Sequence, residues 1–353
     1  MDGLSIIIVC HNGAGRLPTT LSHLKKQQSP KVPWELVVID NASTDQTTKV
    51  ALSCWENGPA PMRVIAESHL GVRFARERGI AEAKYSLLAF VDDDNWLASN
   101  WVRTAYEIMS SDSSLGAVGS IREAECEAQS RPWFDNYHSV YAVLTESEFD
   151  QMEQPPPYLP TAGLCLRKAA WEGLVHDGFH FLLSGTVGGK LRGGEDTELT
   201  LALHLAGWRL RIDRRLCLRH FMPSERLRWQ YLRKLKRNYG ESHVPLDAYS
   251  QHSLSLQQGA RRWLSDSWWY QFGKSLTKIA NHPTAVFAAL GADGEGRSDL
   301  IEVEEQFGRA IGLLHLRGRY RTFRREIREA QWRRVSLQPD HSWNGRTAAR
   351  SGS

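Results

Sequence analysis

No pair of cysteines at C-x-x-C spacing occurs in the 353 residues: the five cysteines, Cys10, Cys54, Cys126, Cys165 and Cys217, stand far apart. That scatter argues against a zinc ribbon and a disulfide framework, and suits a reducing cytoplasm. No apolar run approaches the ~20 residues that a membrane-spanning helix needs, so any contact with a membrane would be peripheral, at its inner face. The first residues lack a basic segment followed by an apolar stretch and a cleavage site, and no secretory leader is expected. Two phosphate-binding signatures are also missing. Pro18 stands where the third glycine of a dinucleotide fingerprint beginning at Gly13 and Gly15 would fall, and Gly189-Lys190 is followed by Leu191, not by Ser or Thr. Internal repeats are absent.

What is present is ordinary globular composition, 41% hydrophobic and 24% charged, long enough for one large domain with an extension. The formal charge is only +4, yet basic residues crowd into Arg209–Arg237 and Arg317–Arg334, which suggests an anionic partner. Short runs rich in β-branched residues, Ser5–Val9, Glu35–Ile39, Arg63–Ala66 and Ser86–Val91, alternate with amphipathic stretches such as Val72–Ala83. This alternation predicts βαβ units and an α/β fold with a mostly parallel sheet flanked by helices. Ligands bind such sheets beyond the carboxyl ends of the strands, and three of those ends carry polar groups: Asn12, Asp40 and Asp92–Asp94.

The pattern is irregular from Arg122 to Pro160, with Trp133, Phe134, Tyr137, Tyr141 and a Pro155–Pro157 run, and reads as loops over the site. A strand at Thr161–Arg167 follows, then a glycine-rich stretch, Gly185–Gly194, leads to a helix from Glu195 that Gly207 ends. A further strand is expected at Leu216–Arg219. Beyond about Pro223 the chain turns helical, basic and tryptophan-rich, as in Leu227–Asn238 and Trp263–Leu276, with a last helical pair at Ser298–Leu316 and Tyr320–Val335. The tail 339–353 reads as disordered.

Three adjacent carboxylates, Asp92, Asp93 and Asp94, repel one another unless a cation lies among them. Hard oxygen donors select Mg²⁺ or Mn²⁺, which bind through one or two carboxylates together with substrate phosphates. A solvated acidic turn is the bland alternative. The hydrophobic strand just before the triplet, and Asn95–Trp96 read as the start of a helix, favour the metal.

The ordered set SIIIVCHNG, VVIDNASTDQT, FVDDDNW and GEDTELTLALHLAGW resembles the GT-A-fold family 2 glycosyltransferases over about residues 4–225. The resemblance implies a Rossmann-like GT-A domain over 1–225, with a nucleotide half at about 1–120 and an acceptor half at about 121–225, followed by the helical extension 226–338. It implies that Asp40 accepts a hydrogen bond from the nucleobase, that Cys10–Asn12 line the nucleotide with Asn41 in the same set, and that a metal bridges the diphosphate to Asp92 and Asp94, Asp93 contributing to the donor site. A histidine at about the place of His220 helps hold metal or diphosphate in many such transferases.

The chemistry of the residues agrees with that carry-over. A carboxylate acceptor pairs with an imide N–H such as uracil presents, so Asp40 favours a UDP-sugar without excluding GDP or dTDP sugars. Asp45 reads as a helix cap. Arg73 and Arg76 would either reach phosphate or sugar or form a solvated helix face, and Arg226 would meet leaving-group charge. Of Glu195 and Asp196, one can cap the helix and the other face the cleft. Asp196 is the expected general base and Glu195 its support or alternate. His176 and His180 read as loop residues.

The expected reaction is a single in-line displacement from a nucleotide-sugar donor to a hydroxyl of a glycan or lipid-linked acceptor, with inversion. A nucleotidyltransferase is the rival within the same fold, although HNGAGRL supplies one arginine where such enzymes need a basic glycine loop. A basic membrane- or nucleic-acid-binding module is the rival outside it. The reading that joins them has Trp263–Trp269 and the Arg-rich helices dock against a membrane or form a homo-oligomer interface, with no nucleic acid partner.

Overall fold

The computed structural model describes residues 1–28, 30–152, 158–183, 193–250, 264, 266–289, 291 and 294–334. Pro155–Pro157, residues 185–192 of the glycine-rich stretch, Trp263 and the tail from Pro339 lie outside the described residues.

Strands β1 (Leu4–Cys10), β2 (Trp34–Asn41) and β4 (Leu87–Asp92) are buried almost throughout, as unbroken apolar runs covered on both faces should be. With the edge strand β3 (Met62–Glu67) they form a parallel unit, linked by α1 (Leu17–Lys25), α2 (Thr47–Cys54) and α3 (Val72–Glu82). The register sets Val9 opposite Ile39 and Asp92, and Cys10 opposite Asp40, so the polar strand ends meet at one edge. Helix α3 lies close on this sheet because Gly79 has no side chain; a Cβ there would come 2.4 Å from Ile7 Cγ2.

Beyond β4 the sheet is mixed, though parallel pairings still outnumber antiparallel ones in it as a whole, in line with the mostly parallel expectation. Its order is β3-β2-β1-β4-β7-β6-β8-β5, where β5 is Asn95–Leu97, β6 Leu115–Cys126, β7 Leu164–Arg167 and β8 Arg209–Met222. Strand β7 runs antiparallel to both β4 and β6, because the chain returns to it from the opposite end after its excursion through 127–163. Asn95–Trp96 does not start a helix. The Asn95 side chain accepts the Asp92 N–H at 3.1 Å, closing a tight turn, and the chain then pairs as β5 with β8, Asn95 opposite His220. The next helix, α4 (Trp101–Ser111), begins only after this strand.

The excursion holds two short helices, α5 (Phe134–Tyr137) and α6 (Glu146–Asp150), the latter fixed by a Thr145/Glu148 capping box. Its aromatics are core, not loop surface: Trp133, Phe134 and Tyr141 bury against Trp229, Leu232 and Leu300. After α7 (Lys168–His176), α8 (Glu195–Leu205) stops where Gly207 adopts φ 93° and Trp208 N–H returns to Leu203 O. The C-terminal helices are α9 (Trp229–Ser242), α10 (Trp268–Ala280), α11 (Pro283–Ala289), α12 (Ser298–His315) and α13 (Tyr320–Glu329). They share core with the sheet domain: Phe323, Ile327 and Trp332 belong to the same buried cluster as Leu199 and Leu203. Among the described residues no helix is long and apolar enough to cross a membrane.

Candidate active site

The three aspartates lie at the end of β4 and in the turn that Asn95 closes, and their surroundings differ. Asp93 and Asp94 are buried, 7% and 4% exposed, and a carboxylate so placed needs a counter-charge. Asp93 takes a two-pronged contact from Arg16, Nε at 3.1 Å and a terminal nitrogen at 2.7 Å, and accepts the Cys10 thiol at 3.3 Å. Thr20 of α1 donates to the Asp93 carbonyl at 2.8 Å, holding the turn from below. Asp94 lies 3.3 Å from His220 Nε2 and 3.1 Å from Arg226. Burial alone would raise its carboxyl; His220 and Arg226 outweigh burial and hold it at about 2.

Asp92 is different. Among the described residues its carboxylate has no hydrogen-bond or ion-pair partner, and burial, with Asp94 next, lifts it to about 6 against the pull of Arg76 and His220. His220 Nδ1 is buried without a partner as well. Two ionised aspartates thus have guanidinium partners while a third carries uncompensated charge beside an imidazole. That oxygen-rich donor set fits a divalent cation, with Asp92 and Asp94 as its hard ligands and His220 alongside. Among the described residues no group of three or more His, Cys, Asp or Glu side chains is gathered so as to hold a metal ion.

Across the cleft, α8 starts at Gly194, whose φ of 117° turns the chain into the helix. Glu195 is buried, and its Oε1 has no partner among the described residues. Burial raises this carboxyl, Arg76 opposing. Arg76 therefore acts on Glu195 and Asp92 together, joining the two acidic groups, and it is itself anchored to Thr161 Oγ1 at 2.5 Å. Asp196 is half-buried and accepts its neighbour Thr197 N–H at 2.8 Å. Its charge is felt by the fully buried Arg122 guanidinium, by Tyr239 and by His243 of the C-terminal extension.

The nucleotide-side residues divide. Asp40 is half-buried, accepting Ser43 N–H at 3.2 Å and the Thr48 hydroxyl, and keeps free lone pairs. Asn12, in the left-handed region at φ 49°, bridges two strand ends by accepting Thr44 N–H at 2.8 Å. Asn41 faces inward: it accepts Gly71 N–H at 2.8 Å and donates to His69 O at 2.7 Å, so it orders the entry to α3. Cys10 is also fully buried, its thiol spent on Asp93. Both side chains are placed to shape the site from behind. Arg73 pairs with Glu77 at 3.4 Å and lies over the Phe74 and Phe181 rings. Asp45 accepts Thr47 N–H at the start of α2 and Ala14 N–H, a loop-tying version of the expected cap.

Two residues gained roles that sequence patterns missed. Arg16 is the counter-ion of Asp93. Glu198 is fully buried one turn beyond Glu195, accepts Leu182 N–H, Leu183 N–H and the Tyr249 hydroxyl, and is pushed up to about 7 chiefly by burial. Its only sequence signal is an acid at i+3 from Glu195 on the face that carries Leu199. A cavity of about 480 Å³ opens elsewhere, lined by His23, Trp96, Cys217 and Arg219 on the sheet face opposite His220, and holds none of the site aspartates.

Residues 5–173 match a family model described as "Glycosyl transferase family 2". The succinoglycan biosynthesis protein ExoM of Rhizobium meliloti (strain 1021) is 24% identical over 249 residues, covering 70% of this chain and 76% of that protein. The human dolichyl-phosphate beta-glucosyltransferase is 33% identical over 99 residues, covering 26% of this chain and 31% of that protein. Among solved structures, a mannosyltransferase from Pyrobaculum calidifontis in complex with GDP-Man and Mn²⁺ matches with a TM-score of 0.55 at 17% identity, covering 88% of this chain and 86% of that one. That likeness is one of fold.

Proposed function

From the premise that this chain is a glycosyltransferase whose residues 5–173 belong to glycosyl transferase family 2, we propose that it moves a sugar, with inversion, from a UDP-sugar to a hydroxyl of a glycan or lipid-linked acceptor. The observation that supports this reading is that the Arg76 guanidinium acts electrostatically on both Asp92, at the end of β4, and Glu195, at the start of α8. Its five unpaired cysteines suit a cytoplasmic setting.

Each residue has a task in a displacement whose main demand is stabilising charge on the departing diphosphate. Asp92 and Asp94 would hold a divalent cation, Mn²⁺ or Mg²⁺, which would supply Lewis-acid neutralisation of the diphosphate charge. Arg16 keeps Asp93 ionised and in place. Arg226 and His220, both against Asp94, are positioned to meet phosphate oxygens once the donor arrives. Asp40 accepts the imide N–H of the base. Asp196 takes the proton of the acceptor hydroxyl. Glu195, with a free buried oxygen, orients the acceptor or Arg76.

The test is a screen of nucleotide sugars with Mn²⁺, reading nucleotide release. UDP-sugars should turn over fastest, and Asp94→Ala should lower kcat by about 10²–10³. Turnover that is indifferent to chelator and to Asp94→Ala would refute the assignment. The nucleotidyltransferase alternative would instead show pyrophosphate release from a nucleoside triphosphate and a sugar phosphate.

A further inference from the structure

Large apolar side chains that remain exposed are not spread evenly over the molecule. Among the described residues Met1, Leu52, Leu70 and Val175 stand singly in the sheet domain, whereas Trp269, Tyr270, Leu276, Phe287, Ile311 and Leu314 all lie in the C-terminal helices, and Phe287 is 74% exposed. Helix α10 shows the pattern most clearly. Ser275 and Ile279 bury, while positions 269, 270, 273, 276, 277 and 280 run along its outer side at helical spacing and are all exposed. That outer face reads Trp, Tyr, Gly, Leu, Thr, Ala, where a helix facing water ordinarily carries charge.

The charges that α10 and α11 themselves carry have one sign. Lys274 and Lys278 are exposed, and no Asp or Glu occurs from Trp268 through Ala289. Lys274 lies 5.8 Å from the centre of the Tyr270 ring. Glu302 of α12 is the carboxylate that faces the patch from a packed neighbour, 3.9 Å from Lys278 and 3.7 Å from His282. Several arginines of the C-terminal segment, by contrast, are paired internally: Arg309 with Asp247, Arg324 and Arg328 with Asp266, Arg334 with Asp177.

We propose that the outer face of α10 and α11 seats the enzyme on an anionic lipid surface. Trp269, Tyr270, Leu276 and Phe287 enter the boundary between headgroups and acyl chains, and Lys274 and Lys278 pair with lipid phosphates. Aromatic and aliphatic side chains with lysine flanks are the composition such a boundary selects. A twofold dimer through the same face would set the lysines of both copies against each other. This docking goes beyond the transfer reaction and does not depend on which sugar is moved.

The experiment is co-sedimentation of the full chain with phosphatidylcholine vesicles, with and without phosphatidylglycerol, at low and high salt. Binding is expected only with the anionic lipid, weakening as salt rises. Trp269→Ser with Phe287→Ser should lower it by at least about tenfold, and Lys274→Glu by at least about fivefold. All these positions are exposed, and unchanged melting temperature and UDP affinity would verify that the variants are folded. Equal binding to neutral and anionic vesicles, binding untouched by the serine variants, or a concentration-dependent dimer that those variants abolish would each overturn the proposal, the last by naming a second copy as the occupant.

Discussion

Asp92 holds the tension of the site in one side chain. Its neighbours Asp93 and Asp94 have arginine partners, whereas burial and Asp94 lift Asp92 from 3.8 to about 6. A raised carboxyl binds its proton more tightly in the folded chain than in the unfolded one. Its stabilising contribution is therefore full below the unfolded value and is lost as pH rises through about 6. Asp92→Asn should accordingly melt higher than the parent at pH 7 in the absence of metal, while losing the metal-dependent activity. The parent's kcat/KM should fall as pH drops through about 6, and that limb should be missing from whatever activity the variant retains. A variant that melts lower, or keeps the limb, would put the acidic demand on another group. At this scale the sequence was most legible where like charges adjoin, since repulsion among Asp92–Asp94 follows from adjacency alone. It was least legible where side chains turn inward: Asn41 and Cys10 look like cleft residues on a strand end, and only tertiary packing shows their polar atoms already engaged by Gly71, His69 and Asp93.

Among the elements, the shortest strand matters most to the site. Strand β5 exists because Asn95 closes the turn after Asp92, and its pairing with β8 carries His220 to Asp94. Local pattern favoured a helix there, and the long-range partner prevailed. The parallel strands were readable because burial on both faces leaves continuous apolar runs, while β7 reverses direction for topological reasons that no local pattern encodes. The pair α9 and α12 depends on glycine in the same hidden way. A Cβ at Gly308 would clash with the Arg237 carbonyl oxygen at 1.8 Å, and one at Gly240 with the Glu305 carbonyl oxygen at 2.0 Å. Gly308→Ala should therefore destabilise by about 1–3 kcal/mol despite alanine's better helix propensity. Gly173→Ala on α7, with open space around the added carbon, should stabilise by about 0.5–1 kcal/mol. Denaturant midpoints read both; equal signs would contradict the close-crossing account.

In the molecule as a whole, the helical extension is built into the transferase rather than appended to it. The sequence marked it as basic and aromatic and drew from this an anionic partner. The structure redirects most of that charge: Arg211 and Arg215 meet Asp213, Arg233 and Arg237 meet Glu304, and Arg309 and Arg324 meet Asp247. Arginine density alone could not reveal this, because Glu304 and Asp247 lie far along the chain from the arginines they answer, although Asp213 stands beside Arg211 and Arg215. The shared cores carry a further consequence. A chain ending at 225 would expose Trp133, Phe134 and Tyr141, together with the side of α8 covered by Phe323 and Ile327. It should come out aggregated or without a cooperative melt, and a soluble, cooperatively folding 1–225 fragment would show that the boundary inferred from sequence is a true domain limit.

Whether Asp92 and Asp94 join a cation to a nucleotide diphosphate is decided by titrating UDP into the full chain by calorimetry, with Mn²⁺ and then with excess chelator. Binding should be at least about tenfold tighter with the metal, and that difference should collapse in Asp94→Asn. Equal affinity with and without metal, or a metal effect that survives Asp94→Asn, would contradict that role of the two aspartates.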